Sequence, residues 1–247
     1  LGLQVLTGDS AAITDLTISG NTFSDTGTGN SQEISMDISK AGTSTLTAKV
    51  LNNTTIRGHN SHAMNFFTAA GAGTSGVYNA RIANNDIGHA STAGSGSVIG
   101  NCARININGD ADATVLVDGN NARQCPNGRG FEVIARNGTV GLDLTVTNND
   151  VNTNDVSGFP LAAILAQSND ITIPNTLRAD IRGNTVPTGT AYDVITTFIG
   201  AVETGASTLQ LVGTSPTCTA QLTGTNTGSA SANAGCSLIP GPITTPP

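Results

Sequence analysis

Short segments of this chain alternate between apolar and polar residues, and turns rich in Asn and Gly separate them. The alternation has a period of two, which is typical of β-strands with one buried face and one exposed face. The clearest copies are LTISGNTF at 16–23, AKVLNNTTI at 48–56, ARIANNDI at 80–87, VLVDGNNA at 115–122, LTVTNNDV at 144–151 and ADIRGNTV at 179–186. No segment has a convincing helical period. The pattern therefore predicts an all-β protein.

An asparagine occupies the same place in each of these copies. The six are Asn21, Asn53, Asn85, Asn120, Asn149 and Asn184, which are 32, 32, 35, 29 and 35 residues apart. A second family of strands, here called the intervening strands, lies between the copies at 34–39, 64–69, 104–108, 131–136, 161–166 and 192–198. A fixed period of this length is the mark of a solenoid. The spacing predicts a right-handed parallel β-helix of about seven coils with a repeat near 32 residues.

Stacking explains why the asparagine recurs. A single coil cannot bury its apolar face, but equivalent positions of neighbouring coils form a continuous core. Each turn asparagine is expected to adopt left-handed geometry and to hydrogen-bond the next asparagine of the stack. The alternative fold, an antiparallel β-sandwich, would have turns every 8 to 12 residues and no fixed asparagine register.

The NN-x-I and GN-T-V turns after the strands resemble the asparagine ladders of pectate-lyase-type parallel β-helices. Residues 1–212 are also similar to the right-handed β-helix repeats of large bacterial surface and autotransporter-like proteins. This resemblance implies an architecture and leaves the function open, because one fold supports many functions.

The ends of the chain differ from its repeats. We expect the β-helix to span 1–212, a disulfide-closed region to span 213–239, and a Pro-rich tail or linker to span 240–247, because proline cannot donate to a sheet. Leu1 begins directly in repeat-like sequence, with no initiating Met and no helix to cap the first coil. Either further coils precede it or another molecule covers the exposed strand edges.

Four cysteines suit two disulfides, since none belongs to a CxxC pair or a zinc-like group with His. Cys102 and Cys125 each lie shortly before an intervening strand in consecutive coils, so stacking predicts that they pair. Cys218 and Cys236 pair by elimination. Each loop is about 20 residues long, which corresponds to roughly 3 kcal/mol in the chain-entropy description. Free reactive thiols are the alternative. Disulfides favour an extracellular or cell-surface location.

Charge and composition exclude some partners. The net charge is −7 and the ten basic residues are spread singly, so no basic stripe exists for nucleic acid. No apolar run reaches the roughly 18 to 20 residues that span a bilayer. We therefore expect neither nucleic-acid binding nor membrane insertion by this segment.

An enzyme that cleaves polysaccharides is the main functional alternative, and it needs two carboxylates across the sugar bond. The candidates are Asp37 and Asp193 on the intervening strands, and Asp118, Asp150, Asp155 and Asp180 near the Asn-turn strands. Asn154-Asp155 matches part of one polygalacturonase element, but the Gly-His-Gly and Arg-Ile-Lys elements are missing. We therefore expect no catalytic residues and no cofactor.

Metal binding and ice binding have weaker signals. His59 and His62 lack a third ligand, and Asp110 and Asp112 lack the ligand number of a calcium site. An ice-binding solenoid would carry a regular array of hydroxyl pairs. The outward pairs are Thr17/Ser19, Lys49/Leu51, Arg81/Ala83, Leu116/Asp118, Thr145/Thr147 and Asp180/Arg182, and only two of the six are hydroxyl pairs.

Apolar residues at outward positions of the intervening strands suggest a contact surface. They are Phe67, Ile134 and Ile195, with Ile164 if its register is shifted. Exposed apolar residues in a row are typical of a partner interface, and packing under a loop is the alternative. The sequence thus predicts a non-catalytic structural or adhesive module of a larger bacterial surface protein. Its expected partners are other copies of the chain, laterally or end to end, or a host or cell-surface glycan or protein.

Overall fold

A computed structural model describes the protein at residues 2–23, 34–58, 61–70, 73–153, 162–169, 173–195, 207–232 and 235–247. At Asn169 and at 187–195 it describes the backbone only. The first strands are β1 (Leu3–Thr7), β2 (Ala12–Ser19), β3 (Met36–Lys40), β4 (Thr45–Leu51), β5 (Met64–Thr68), β6 (Ser75–Ala83), β7 (Asp86–Ile87), β8 (Ala103–Asn108), β9 (Asp110–Asp118) and β10 (Asn121–Arg123). The rest are β11 (Phe131–Arg136), β12 (Gly141–Thr147), β13 (Asp150–Asn152), β14 (Ile164–Asn169), β15 (Thr176–Arg182), β16 (Thr185–Ile195), β17 (Thr208–Val212), the helix α1 (Cys218–Thr225), β18 (Thr227–Ala232) and β19 (Cys236–Ile239).

These strands form a parallel β-helix. Sheet A contains the intervening strands in the order β1-β3-β5-β8-β11-β14-β16 and continues through β13, β10 and β7. Sheet B contains the Asn-turn strands in the order β19-β17-β15-β12-β9-β6-β4-β2. The short strands β7, β10, β13 and the start of β16 make a third face. The predicted fold class and the repeat near 32 residues are confirmed.

The number of turns is smaller than predicted. The solenoid has about five turns instead of seven. Among the described residues, the first coils contribute isolated bridges to the third face, such as Thr22 with Thr54 and Ile56 with Ile87. The seven-coil prediction counted strand copies, and some of those copies lie in coils that are not paired on all three faces.

The core consists of the inward residues of each strand. Leu46, Ala48 and Val50 of β4 stack on Tyr78, Ala80 and Ile82 of β6, and all six are buried. The Tyr78 hydroxyl donates to the Ile38 carbonyl oxygen at 2.9 Å, and burial raises the pKa of this phenol well above its usual value. The alternation in the sequence therefore identifies the buried face of sheet B.

The turn asparagines form one continuous column between sheet B and the third face. In the middle of this column, the Asn120 Oδ1 accepts from the Asn85 backbone N–H at 3.0 Å and from its Nδ2 at 2.9 Å. The Asn120 Nδ2 donates to the Ile82 carbonyl oxygen and to the Asn149 Oδ1. The same bonds repeat from Asn21 onward, so each asparagine ties its coil to the next.

Left-handed backbone geometry lies one residue earlier than predicted. The residues with positive φ directly precede the six asparagines, and they are Gly20, Asn52, Asn84, Gly119, Asn148 and Gly183. Only Gly, and to a lesser degree Asn, adopts this geometry readily. This requirement explains why every copy of the turn reads Gly-Asn or Asn-Asn.

A seventh asparagine, Asn226, extends the column beyond the predicted six. Its Oδ1 accepts from the Asn184 N–H at 3.0 Å and from the Asn184 Nδ2 at 2.9 Å. The helix α1 lies between β17 and Asn226, where the other coils have a two-residue turn. This insertion hid the repeat, because the asparagine no longer follows its strand directly.

The β-helix continues past the predicted boundary at residue 212. β18 pairs with β16 and β19 pairs with β17, so strand pairing extends to Ile239. Thus residues 213–239 include part of the solenoid as well as the disulfide loop. The tail at 240–247 also differs from a free linker, because Pro246 is buried and the Thr244 N–H donates to the Asp143 Oδ2 at 3.1 Å.

Both predicted disulfides are present. Cys102 pairs with Cys125, and Cys218 pairs with Cys236. Stacking predicted that Cys102 and Cys125 would align in neighbouring coils, but Cys102 aligns with Gly130. The Ala103 N–H donates to the Gly130 carbonyl oxygen, and Ala103 pairs with Phe131. Cys125 instead follows β10, so this disulfide joins the start of one coil to the end of the same coil.

Candidate functional site

The outer face of sheet A carries a group of polar and charged residues at the start of its strands. This group, here called the arginine cluster, consists of Asn101, Arg104, Arg129 and Glu132, with His62 beside them. The buried Glu132 carboxylate accepts from the Arg129 Nη1 at 3.0 Å and from the Asn101 Nδ2 at 2.9 Å, and it lies 3.2 Å from the Arg104 Nε. One carboxylate thus holds two guanidinium groups on neighbouring coils.

His62 is part of this charged environment. Its Nδ1 accepts from the Asn101 backbone N–H at 3.1 Å, and its Nε2 lies 3.5 Å from the Arg104 Nη1. Burial, together with the Arg104 charge, lowers the pKa of this imidazole to about 4. His62 is therefore neutral at physiological pH and acts as an acceptor that positions the loop before β8.

The outer face of sheet B carries a cleft of about 460 Å³. Its walls come from β6, β9, β12, β15 and β17, and its polar lining consists of Asn79, Asp112, Thr114, Asp143, Thr176, Arg178 and Gln210. The register of the sheet explains this lining, because Asn79, Thr114, Asp143, Arg178 and Gln210 are consecutive partners in one column. The lining residues include no aromatic side chain.

Two carboxylates line this cleft, but one of them is fully engaged. Arg178 binds Asp143 through two bonds, from Nε to Oδ1 at 2.6 Å and from Nη2 to Oδ2 at 2.8 Å. The Thr244 N–H adds a third bond to Asp143. Asp112 is exposed. The arrangement offers hydrogen-bond acceptors and donors along an extended groove.

The predicted catalytic candidates are engaged with polar neighbours on their own or adjacent strands. Asp37 accepts from Gln4 and Asn65, Asp118 from Thr147 and Asn148, and Asp150 from Arg123. Asp180 lies 3.0 Å from the Arg182 Nη2, and its burial raises the pKa of this carboxyl group although Arg182 lowers it. Asp155 and the Asp193 side chain lie outside the described residues. Each of the described candidates thus bonds to a different set of neighbouring side chains.

The metal candidates are also separate. His59 lies outside the described residues, and His62 belongs to the arginine cluster. The Asp110 Oδ1 accepts from the Thr139 N–H at 2.9 Å and from its Oγ1 at 2.7 Å, which lowers the pKa of Asp110. Within the described ranges, no group of three His, Cys, Asp or Glu side chains could hold a metal ion.

Two members of the predicted apolar stripe on sheet A are buried: Ile134 at the outward position that was predicted, and Ile164, which was included only for a shifted register, at an inward position. Ile134 is 5% exposed and Ile164 is 1% exposed. Ile164 pairs with Phe131 in an inward row, because β14 begins at Ile164 and the period of two then points Leu165 and Gln167 outward. Phe67 is half-buried, and the Ile195 side chain lies outside the described residues. The polar residues Asn106 and Gln167 interrupt the stripe.

The outward pairs considered for ice binding do stack in register on sheet B. The column runs through Thr17, Lys49, Arg81, Leu116, Thr145 and Asp180, so two charged residues and one apolar residue separate its two hydroxyl positions. A regular hydroxyl array is therefore absent from this described face.

Sequence reasoning missed a buried lysine. Lys40 is 0% exposed, and its Nζ donates to the Ser44 carbonyl oxygen at 3.0 Å and to the Ser75 carbonyl oxygen at 2.5 Å. Burial lowers the pKa of this amine. The signal was available, because Lys40 has the inward parity of β3, in line with Met36 and Ile38. The contact of the tail with Asp143 had no such signal, since it joins residues 101 positions apart.

Comparison with known proteins yields no relative for this chain: no family model, curated protein or solved structure matches it. In the part of the chain that the structure describes, no helix has the length and apolar character needed to cross a membrane.

Proposed function

We propose that this chain is a non-catalytic structural or adhesive module of a larger bacterial surface protein, which associates with other copies end to end. The proposal rests mainly on the two ends of the described β-helix, where strand edges and partly buried core side chains can take either a further coil of the larger protein or another copy of the chain. The bacterial surface and the autotransporter-like type come from the resemblance of the repeats, and the two disulfides are compatible with an extracellular location.

The first strand shows how an end could accept a partner. The Leu3 N–H donates to the Ser35 carbonyl oxygen and the Thr7 carbonyl oxygen accepts from the Ala41 N–H. Because backbone groups alternate in direction along a parallel strand, those of Gln4 and Leu6 point to the open edge of sheet A. The Leu6 side chain is 63% exposed. An edge strand of this kind is a template for pairing, either with a further coil of the larger protein or with another chain.

Both ends also expose part of the core. Leu3, Val5, Ile13, Leu16 and Phe23 are partly buried at the N-terminal end, and Ala230, Ala232, Cys236 and Leu238 are partly buried at the other end. The two ends differ, so a contact between them is head to tail and does not close by twofold symmetry. Repetition of such a contact gives a filament where the rotation between copies does not close, and a ring where it does.

The charged side chains favour a structural role over catalysis. Ion pairs join neighbouring coils at Asp15–Lys49, Arg123–Asp150, Asp143–Arg178 and Arg104–Glu132. Together with the asparagine column, these contacts tie one coil to the next along the described chain. The result suits a stiff rod that resists local unfolding.

The test is the solution mass by light scattering as a function of concentration, combined with electron microscopy of the same sample. We expect ordered filaments or oligomers of defined size. The variant Leu6→Lys places a charge on the open edge of β1 and should weaken association at least tenfold. Ile99→Lys is the matched control, because Ile99 is 58% exposed in the loop before β8 and should leave association unchanged.

A monomer at every accessible concentration would overturn end-to-end assembly. Equal loss of association in both lysine variants would also contradict it, because a general effect of charge would then explain the result.

A further inference from the structure

The loops that lead into β5, β8 and β11 stack on one another at the start of the sheet A strands. The Ala63 N–H donates to the Asn101 carbonyl oxygen at 3.0 Å, and the Arg129 N–H donates to the Asn101 Oδ1 at 2.8 Å. The loops approach closely, since a Cβ at Gly100 would lie 2.7 Å from the His62 backbone nitrogen. This packing limits how far the side chains of the arginine cluster can move.

The surroundings of His62 select one tautomer of its ring. The Nδ1 atom lies 3.1 Å from the Asn101 backbone nitrogen, which carries a hydrogen and can only donate. The Nδ1 atom therefore accepts, and a neutral imidazole then carries its hydrogen on Nε2. Burial and the Arg104 charge lower the pKa of His62 to about 4, so the ring is neutral at neutral pH. The Nε2 atom is thus a hydrogen-bond donor.

Two donors face each other at this position. The His62 Nε2 lies 3.5 Å from the Arg104 Nη1, and a guanidinium group has donors only. Neither group can accept from the other, and the neutral imidazole does not offset the Arg104 charge. Among the described residues, no oxygen atom accepts from the His62 Nε2. Two converging donors without an acceptor are an arrangement that an anion fits.

The arginines beside this donor pair are only partly neutralised. Among the described residues, Glu132 is the one carboxylate that pairs with Arg104 and Arg129, at 3.2 Å and 3.0 Å. The Nε atoms of both arginines are buried without a hydrogen bond in the described chain, because the Arg104 Nε meets Glu132 outside hydrogen-bond geometry. Burial and the Arg104 charge also lower the pKa of Arg136, although Glu132 raises it. Positive charge therefore exceeds negative charge around Arg104.

We propose that the His62 Nε2–H and the Arg104 guanidinium group form a binding site for one oxyanion, a sulfate or a carboxylate group. The oxygen atoms of the anion accept from both donors, and the charges of Arg104 and Arg129 attract it. Hydrogen bonds of this kind, between charged partners, are roughly twice as strong as neutral ones. Solvent reaches the site, since His62 is half-buried and the Arg104 side chain is 28% exposed.

The first test determines the tautomer of His62 in the full chain by long-range proton–nitrogen NMR correlation at neutral pH. We expect the hydrogen on Nε2, whereas a hydrogen on Nδ1 would overturn the proposal. The ring of His89 serves as an internal control in the next experiment, because His89 is exposed and accepts from Ser91 through its Nδ1.

The second test titrates the chain with sodium sulfate and, separately, with sodium acetate, each against sodium chloride at equal ionic strength. We expect a saturable shift of the His62 ring and of the Asn101 amide with sulfate, acetate or both, and the active salt identifies the oxyanion that the site accepts. Bound sulfate favours the charged imidazole, so it should also raise the pKa of His62 relative to chloride. His89 should respond alike to all three salts. Shifts no larger than those in chloride would overturn the proposal.

Three variants separate the site from a general effect of charge. Arg104→Gln removes one donor group and leaves Glu132 paired with Arg129, while His62→Asn keeps an acceptor near the Nδ1 position and removes the Nε2 donor. Each should weaken anion binding, followed at the Asn101 amide, by about tenfold or more. Arg81→Gln is the matched control, because Arg81 is an exposed arginine on sheet B and should leave binding unchanged.

Equal losses in all three variants would contradict the proposal, provided that thermal unfolding shows each variant to be folded. The site lies on the side of the β-helix, and its readouts need one chain only. Failure of anion binding would therefore leave end-to-end association untouched, and a strictly monomeric chain could still bind the anion.

Discussion

Two corners of this β-helix use different side chains to bond the backbone groups at a bend. The asparagine corner joins sheet B to the third face and uses one residue type seven times, from Asn21 to Asn226. The lysine corner joins sheet A to sheet B and uses different residues in each coil, namely Thr7, Lys40, Ser44, Thr68 and Asn108. All five are buried. Both corners must satisfy the backbone groups that the bend leaves without sheet partners.

The bonds at the lysine corner are individual. Lys40 donates to two backbone carbonyl groups, while the Thr68 Oγ1 donates to the Asn108 carbonyl oxygen at 2.8 Å and the Asn108 Nδ2 donates to the Thr68 carbonyl oxygen at 2.7 Å. A corner built from one repeated side chain can be extended by any number of coils. A corner of unique bonds fixes which coil lies above which, because a shift by one repeat would mismatch the partners.

The largest effect is expected from Asn120→Ala in the middle of the asparagine corner. Asn120 is fully buried, and its loss leaves the Asn85 N–H and Nδ2 and the Ile82 carbonyl oxygen without these partners. At about 1–3 kcal/mol for each unsatisfied group, partly relieved by relaxation, unfolding should become easier by roughly 3–5 kcal/mol. Chemical denaturation at pH 7 measures the change.

The matched control is Asn21→Ala at the open end of the same column. Asn21 is exposed and donates to Asn53 without accepting from a preceding asparagine among the described residues. Its loss should cost about 1 kcal/mol. Equal effects of both substitutions would show that the column does not act through buried bonds.

A smaller effect, and one that depends on pH, is expected at the lysine corner. Burial lowers the pKa of Lys40, so between the folded-state pKa and the usual value of 10.5 the unfolded chain binds more protons than the folded chain. The stability of the wild type should therefore rise with pH through this window. Lys40→Met keeps the volume and removes the charge, so its stability should rise less.

The measurement is the difference in unfolding free energy between wild type and Lys40→Met at pH 7 and near pH 10. The variant should change stability by no more than about 2 kcal/mol at pH 7, because the removed charge and the two lost hydrogen bonds oppose each other. A constant difference over this range would mean that Lys40 keeps its proton in the folded chain.

The comparison of the corners also explains what the sequence could predict. The asparagine corner was readable because one residue type recurs at a fixed spacing, and the strands before it followed from the period of two. Asn226 was not predicted, because α1 lies between it and β17 and lengthens the spacing. The lysine corner carries no repeat, so the sequence did not indicate which of its residues are partners before the coils were stacked.

The candidate sites were less predictable than the fold. The pairing of Glu132 with Arg104 and Arg129 depends on which strands are neighbours and on the position of the loop before β11. The tail contact depends on a segment that carries no apolar alternation. Ile164 was placed outward only for a shifted register, because a slip of one residue exchanges the inner and outer faces of a β-strand, and its pairing with Phe131 shows the unshifted register.

The smallest change in stability is expected at the left-handed residue that precedes each asparagine of the asparagine corner. Gly20 precedes Asn21 with φ +67°, and a side chain there would meet no heavy atom within 4 Å. Gly20→Asn reproduces the Asn-Asn turn found at Asn52, so stability should change by less than about 0.5 kcal/mol in chemical denaturation. Gly20→Val should lose about 1–2 kcal/mol, because a left-handed backbone is unfavourable for a β-branched residue. If both variants lost the same stability, side-chain bulk would be the controlling factor at this turn. The restriction to Gly or Asn before each turn asparagine would then need a cause other than backbone geometry.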